Sequence, residues 1–209
     1  MLKGLASDLS GASDVCHIVS DLRSCQANAY LVPGEQIVFS FVSSKEEFSF
    51  TTHALLKIAG SSATTTRRLV ERFRFKHEVV SHVKFETAGR VDRDCEIKFR
   101  IGSEHVSVDI ARAEDDAARV YYKVIELLGR EQRASERTWE FAKLSLKHTS
   151  DALYLTENSG QTLGRQSDEA LEWLQRIYER THPESYREVI DAALLEVKTA
   201  GKMEEPNRP

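Results

Sequence analysis

Between Ile37 and Ile110 apolar and polar residues alternate in short runs; beyond Gly129 the apolar residues recur every three or four positions instead. Period-two alternation predicts strands with one buried and one wet face. Ile37, Phe39 and Phe41 alternate with Val38, Ser40 and Val42, and Phe48 and Phe50 with Glu47, Ser49 and Thr51. Residues 54–59 form a short apolar run closed by Gly60-Ser61-Ser62. Leu69, Phe73 and Phe75 then oppose Arg68, Val70, Arg72, Arg74 and Lys76, and Val79, Val83 and Phe85 oppose His82, Lys84 and Glu86. Cys95, Ile97, Phe99 and Ile101 oppose Glu96, Lys98 and Arg100, and Val106, Val108 and Ile110 oppose His105, Ser107 and Asp109. These runs predict seven antiparallel strands, with Phe85, Ile97, Phe99 and Val108 in the core.

Helical spacing appears on both sides of this region. Val15, Ile18, Val19 and Leu22 predict a short amphipathic helix over residues 13–24, with Ser13 as N-cap and Asp14 in the first turn. Pro33-Gly34 marks the turn that follows. A second helix is predicted over residues 114–128. Glu114, Asp115 and Asp116 favour its N-terminus, Ala117, Val120, Tyr121, Val124 and Leu128 form its stripe, and Gly129 ends it.

Three more helices follow. The first runs over residues 131–157, with a seam of Trp139, Ala142, Leu146, Thr149 and Leu153, while Phe141, Leu144 and Leu155 lie off that seam. Asn158-Ser159-Gly160 ends it. The next is capped by Ser167 and carries Leu171, Leu174, Ile177 and Tyr178. The last follows a Thr181/Glu184 capping box and shows the regular stripe Tyr186, Val189, Ile190, Ala193, Leu194 and Val197.

The predicted fold class is therefore α+β: a seven-stranded antiparallel sheet or partly open barrel capped by a C-terminal helix, followed by an all-α region. Residues 1–30 form the N-terminal helix and lead-in, 31–130 the sheet domain, and 131–209 the helical region. Three amphipathic helices of this length either pack on their own chain or cover another one. The candidate assembly face comprises Trp139, Leu146, Leu153, Tyr186, Val189, Ile190, Leu194 and Val197.

The stretch Phe85-Glu86-Thr87-Ala88-Gly89-Arg90-Val91-Asp92-Arg93-Asp94-Cys95-Glu96-Ile97 resembles the E-T-A-G hairpin of the bacterial-type pleckstrin-homology family, with its two acids at Asp92 and Asp94. Gly34-Glu35-Gln36-Ile37 and Phe50-Thr51 look like that family's G-E-x-[IV] and F-T segments. The likeness spans roughly residues 14–128. It departs at Thr52-His53-Ala54-Leu55, where the family has N-K-R-L, and at Lys76-His77-Glu78-Val79, where it has P-Y-K-S. The resemblance implies a pleckstrin-homology-like fold and no established general activity. It also implies ring-like oligomers and, in some members, a helical C-terminal region associated with assembly.

Composition narrows the function classes. The chain has 209 residues with 29 Lys+Arg against 33 Asp+Glu, a net charge of −4. That balance argues against a nucleic-acid partner. No apolar run reaches the ~20 residues of a membrane span, and residues 1–13 have no apolar signal core. Cys16, Cys25 and Cys95 are an odd, widely spaced set. The expected location is therefore a reducing, cytoplasmic one.

No catalytic signature accompanies this. The seven histidines form no close metal-ligand pair with cysteine, and Asp92 and Asp94 sit at a turn without a nucleophile. Phosphate loops, nucleophile elbows and H-E-x-x-H are lacking. We expect no enzyme, no cofactor and no metal. The remaining feature is basic: Arg68, Arg72, Arg74, Lys76, Lys84, Lys98 and Arg100 share polar strand faces and form a candidate face for an anionic partner. Eukaryotic pleckstrin-homology domains often bind phosphoinositides between their first two strands, but here that loop reads Ser43-Ser44-Lys45-Glu46-Glu47. Its glutamates disfavour a phosphate cage, leaving weak electrostatic contact with an anionic membrane. The expected function is a scaffold or adaptor that binds a protein partner or self-associates; the alternative is a peripheral module that binds anionic lipid through the basic face.

Overall fold

The structure, a computed structural model, describes residues 14–60, 67–87, 94–153 and 163–203. The hairpin tip at residues 88–93, with Asp92, and the predicted helix end at 158–160 lie outside these residues. Among the described residues there are eight strands: β1 (His17–Ile18), β2 (Ile37–Val42), β3 (Glu46–Thr51), β4 (Ala54–Gly60), β5 (Arg68–Arg74), β6 (Val80–Glu86), β7 (Asp94–Ile101) and β8 (Glu104–Ala111). Three helices follow: α1 (Asp115–Leu153), α2 (Leu163–Thr181) and α3 (Arg187–Met203).

The expected single sheet is two. β1 to β5 form a five-stranded sheet and β6 to β8 a three-stranded one, each antiparallel and in sequence order. Cys16 joins them through a parallel bridge to Ile110: its N–H donates to Asp109 O at 2.7 Å and its carbonyl accepts from Ala111 N at 3.0 Å. The result is an open pleckstrin-homology-like pair of sheets, not a closed barrel.

The first helix predicted from the sequence, over residues 13–24, is absent among the described residues. Its place is taken by β1 and by 3-10 turns at Leu22–Ser24 and Gln26–Tyr30. A helix this short is marginal on its own, and the backbone finds better partners. Ile18 N–H donates to Glu114 Oε2 at 2.8 Å, Val19 N–H donates to Ser40 O at 3.0 Å, and the Asp21 carboxylate caps the first turn through Arg23 N–H. The Pro33-Gly34 turn is as expected, with Gly34 at φ +83°.

This N-terminal segment also dries a face expected to be wet. Phe48 and Phe50 of β3 enter the main core, yet Glu47, Ser49 and Thr51 on the other side are buried too. Glu47 accepts from Gln26 N–H at 2.8 Å, Ala27 N–H at 2.9 Å and Ser49 Oγ at 2.8 Å. A buried carboxylate is tolerated when its lone pairs are filled in this way. Cys25, Ala27, Leu56 and Ile58 form a second, smaller core beneath the segment.

The chain divides into two units, Met1–Gly129 with Glu184–Pro209, and Arg130–Pro183. In the first unit Phe39, Phe41, Phe50, Phe75, Phe99 and Tyr121 build an aromatic core. Ile97, Phe99, Val108 and Val124 are buried as predicted, whereas Phe85 is half-buried beneath Arg119, whose guanidinium lies 5.6 Å from its ring. Two helices expected over residues 114–128 and 131–157 are one, because Gly129 sits buried inside α1 and does not end it. Glycine weakens a helix interior by about 1 kcal/mol, too little to break a helix with apolar residues on both sides of it.

The last helix departs from the expected all-α region. Tyr186, Ile190, Ala193 and Val197 of that stripe are buried in the core of the first unit. The Tyr186 ring packs edge-on to Phe75 at 6.0 Å, and its N–H donates to Thr52 O at 2.7 Å. Glu184, just before it, pairs with Arg74 at 2.9 Å and with Lys76.

Candidate functional site

The structure splits the expected basic face. Arg68, Arg72 and Arg74 lie on β5 of the five-stranded sheet and Lys76 just beyond it, whereas Lys84, Lys98 and Arg100 lie on the three-stranded sheet. Most of the β5 charge is met within the first unit. Arg72 Nη1 reaches both Glu35 oxygens at 2.8 and 2.9 Å, and its Nη2 donates to Tyr30 O at 2.6 Å. Burial alone would raise the Glu35 pKa, but hydrogen bonds from Thr51, the Val32 N–H and Arg72, with the Arg72 charge, hold it below the usual carboxylate range. Lys76, with Arg74, likewise lowers that of Glu184. Arg68 is half-buried at the start of β5, opposite Gly60.

Lys84, Lys98 and Arg100 do come together. They line a shallow groove of about 410 Å³ on the outer face of β6–β8, with His82, His105 and Ser107 beside them. Sheet register sets the arrangement: Ser81, Arg100 and His105 form one rung, Lys84, Lys98 and Ser107 the next. His82 and His105 carry no functional signal of their own in the sequence. Their strand positions were legible there; that they flank the lysines and the arginine follows from register, which alternation alone does not give.

The loop at residues 43–47 is bound up locally. Ser43 Oγ accepts from Lys45 N–H at 3.2 Å and Glu46 N–H at 2.9 Å, and Lys45 Nζ lies 3.1 Å from Asp14. Burial raises the Glu46 pKa. The lysine of that loop is therefore engaged by a carboxylate.

In the second unit α1 and α2 meet through aromatic contacts. Trp139 lies edge-on to Tyr178 at 5.3 Å, and Tyr178 stacks on His182 at 4.4 Å. His182 Nε2 is 3.1 Å from Glu136 Oε2. Trp139 and Leu146, expected on an assembly face, are thus half-buried, and Ala142 between them is buried. The side chain of Leu153 lies outside the described residues. Tyr186, Ile190 and Val197 are buried and Val189 and Leu194 packed against the core of the first unit, so that stripe is covered by its own chain. Among the described residues of the three helices, the exposed large apolar side chains are others: Phe141 at 68% and Leu144 at 49% on α1, Leu171 at 56% on α2 and Leu195 at 68% on α3.

Two further absences hold among the described residues. No group of three His, Cys, Asp or Glu is placed to hold a metal, and no helix is long and apolar enough to cross a membrane. The three cysteines are buried and unpaired; burial pushes the Cys16 thiol to about 12 and that of Cys95 to about 11.

The family described as the bacterial PH domain matches residues 11–128, which takes in all eight strands and the start of α1. The chain belongs to this family. Among curated proteins it is similar to the uncharacterized protein YvbH of Bacillus subtilis strain 168, at 27% identity over 199 residues, covering 91% of this chain and 98% of that one. Among solved structures it is similar to a PH-domain-containing protein from Exiguobacterium sibiricum 255-15, at 28% identity and a TM-score of 0.76, covering 87% of this chain and 100% of that one. Both likenesses extend past the bacterial PH domain into the helices. A PH-like fold supports an interaction module, and the PH-domain fold family is in general non-enzymatic.

Proposed function

We propose that this chain is a non-enzymatic interaction and scaffold module, in which the PH unit is a folded platform and the α1–α2 hairpin joins it to a second copy of the same chain. The observation that carries this reading is the exposed Phe141–Leu144 pair. Three residues apart, they share one face of α1. Trp139, Ala142 and Leu146, with the burial and the α2 contacts described above, lie on another. Full burial of a Phe or Leu side chain contributes about 1.5–3 kcal/mol each, so covering this pair favours association. Charges of both signs surround it at Arg137, Glu140, Lys143 and Lys147. A mixed rim suits contact between identical surfaces, which must complement themselves. The ring-like assembly implied by the family resemblance supports the same occupant.

The test is the molar mass of the full chain by light scattering, beside the double variant Phe141→Glu, Leu144→Glu. The reading expects a multiple of the 23.7 kDa chain mass for the wild type and 23.7 kDa for the variant, with unchanged circular dichroism. A wild type that stays at 23.7 kDa at every concentration reached refutes it.

A further inference from the structure

The groove on β6–β8 belongs to the first unit and has its own chemistry. Lys84 stands directly opposite Lys98, and Arg100 opposite His105. The two lysines are like charges facing each other across a ladder, which destabilises it, so the arrangement is one that an anion would relieve. Lys98 already has carboxylates, at 3.0 Å to Glu86 and 2.7 Å to Glu96. Glu86 and Glu96 form the next rung, on the side away from Arg100, and no residue lining the groove is acidic. The Nε of Arg100 is buried and has no hydrogen-bond partner among the described residues. A buried donor left without an acceptor is costly, more so on a cation.

The backbone adds a second, independent sign. His82 has φ +53°, and among the described residues no other non-glycine residue has a positive φ. Such a conformation is uncommon for an L residue and is kept where a side chain must be aimed. Here it lies in a β-bulge, where register slips by one residue between Ser81 and Lys84. The slip turns Val83 and Phe85 toward the core and sets both His82 and Lys84 along the groove. Without the extra residue, Lys84 would face inward.

We infer that this groove is a binding site for a phosphate-bearing organic anion, held by Arg100, Lys84 and the imidazoles of His82 and His105. A phosphate monoester presents three acceptor oxygens and nearly two negative charges. That matches a guanidinium, an ammonium and two ring N–H donors converging from three strands better than a carboxylate, which a single arginine fork satisfies. The volume leaves room for the organic group behind the phosphate. The site is separate from the loop at residues 43–47, whose Lys45 pairs with Asp14.

The test titrates the full chain with glycerol 3-phosphate by calorimetry, and sediments it with phosphatidylcholine vesicles prepared with and without phosphatidic acid. Saturable binding of a phosphate-bearing probe is expected, weakening as salt is added. It should fall roughly tenfold or more in Lys84→Met and in His82→Gly. Glycine adopts positive φ without strain, so His82→Gly removes the imidazole while sparing the bulge, and lost binding there is not lost folding. Binding of glycerol 3-phosphate assigns a soluble phosphorylated ligand; binding confined to phosphatidic-acid vesicles assigns a lipid headgroup. No binding of either probe overturns the site, as does binding that both variants leave unchanged or that Lys45→Ala abolishes.

Discussion

Replacing Ile190 by alanine separates a core helix from an assembly helix. Ile190 is fully buried in the first unit, among the residues that pack α3 with the sheets. The change deletes three carbon groups, worth about 0.8 kcal/mol each when buried, or about 2.4 kcal/mol. The unfilled space adds to this, and measured Ile→Ala changes in cores reach about 2–5 kcal/mol. A loss of about 3 kcal/mol in a chain of this size lowers the melting temperature by roughly 6–12 °C. The comparison variant is Leu195→Ala on the same helix, where the side chain is 68% exposed. Its effect should stay within about 0.5 kcal/mol. Differential scanning calorimetry reads both, and Trp139 and Trp173, which both lie in the second unit, report that unit separately by fluorescence. Ile190→Ala should lower the calorimetric transition of the first unit and leave its own molar mass unchanged. An Ile190→Ala protein that melts like the wild type but dissociates from a larger species would refute the placement of α3 in the core.

Three further outcomes follow from the same geometry. Glu35→Gln should destabilise the protein by about 3 kcal/mol, since it leaves the half-buried Arg72 charge without its carboxylate. Because the folded pKa of Glu35 lies below its ordinary 4.5, its contribution is complete above that value and is lost as pH falls through the lower folded pKa; urea denaturation of wild type and variant should therefore converge in acid. Cys16, fully buried with a thiol pushed to about 12, should resist iodoacetamide at pH ~8 in the native protein and react on unfolding in urea; rapid native labelling would contradict the Cys16–Ile110 closure of the two sheets. Val124→Asp should cost more than about 3 kcal/mol by placing a carboxylate in the aromatic core, read as insoluble or molten protein by near-ultraviolet circular dichroism.

β1 read as part of a helix, but the other seven strands were legible, six by alternation and β4 as a short apolar run, and the bacterial PH resemblance rested on residues 34–37, 50–51 and 85–97. What alternation does not carry is which face stays wet. Glu47, Ser49 and Thr51 read as a solvent face, yet all three are buried: the 3-10 segment Gln26–Tyr30 and Ser49 donate to the Glu47 carboxylate, and Thr51 donates to Glu35. Residues 13–24 read as a helix because Val15, Ile18, Val19 and Leu22 fit a helical face, whereas Cys16 bridges to β8 and His17 and Ile18 pair with β2 instead. The Tyr186–Val197 stripe posed a different problem. An apolar helix face looks the same in sequence whether its own chain or another covers it, and here the cover is its own sheets. Phe141 and Leu144 were visible as off-seam residues, and their exposure makes them the better interface candidates. The phosphate-site residues were half legible: Lys84, Lys98 and Arg100 stood out by charge, while the bulge at His82 leaves no mark in composition or period.

Hydroxyl-radical footprinting of the wild-type chain across a concentration series addresses the proposed interface residue by residue. The account predicts that oxidation of Phe141 and Leu144 falls as concentration rises, while Leu195, equally exposed on α3, keeps its rate. Equal labelling of Phe141 at every concentration, in a sample whose mass does increase, would place the contact elsewhere and contradict the account.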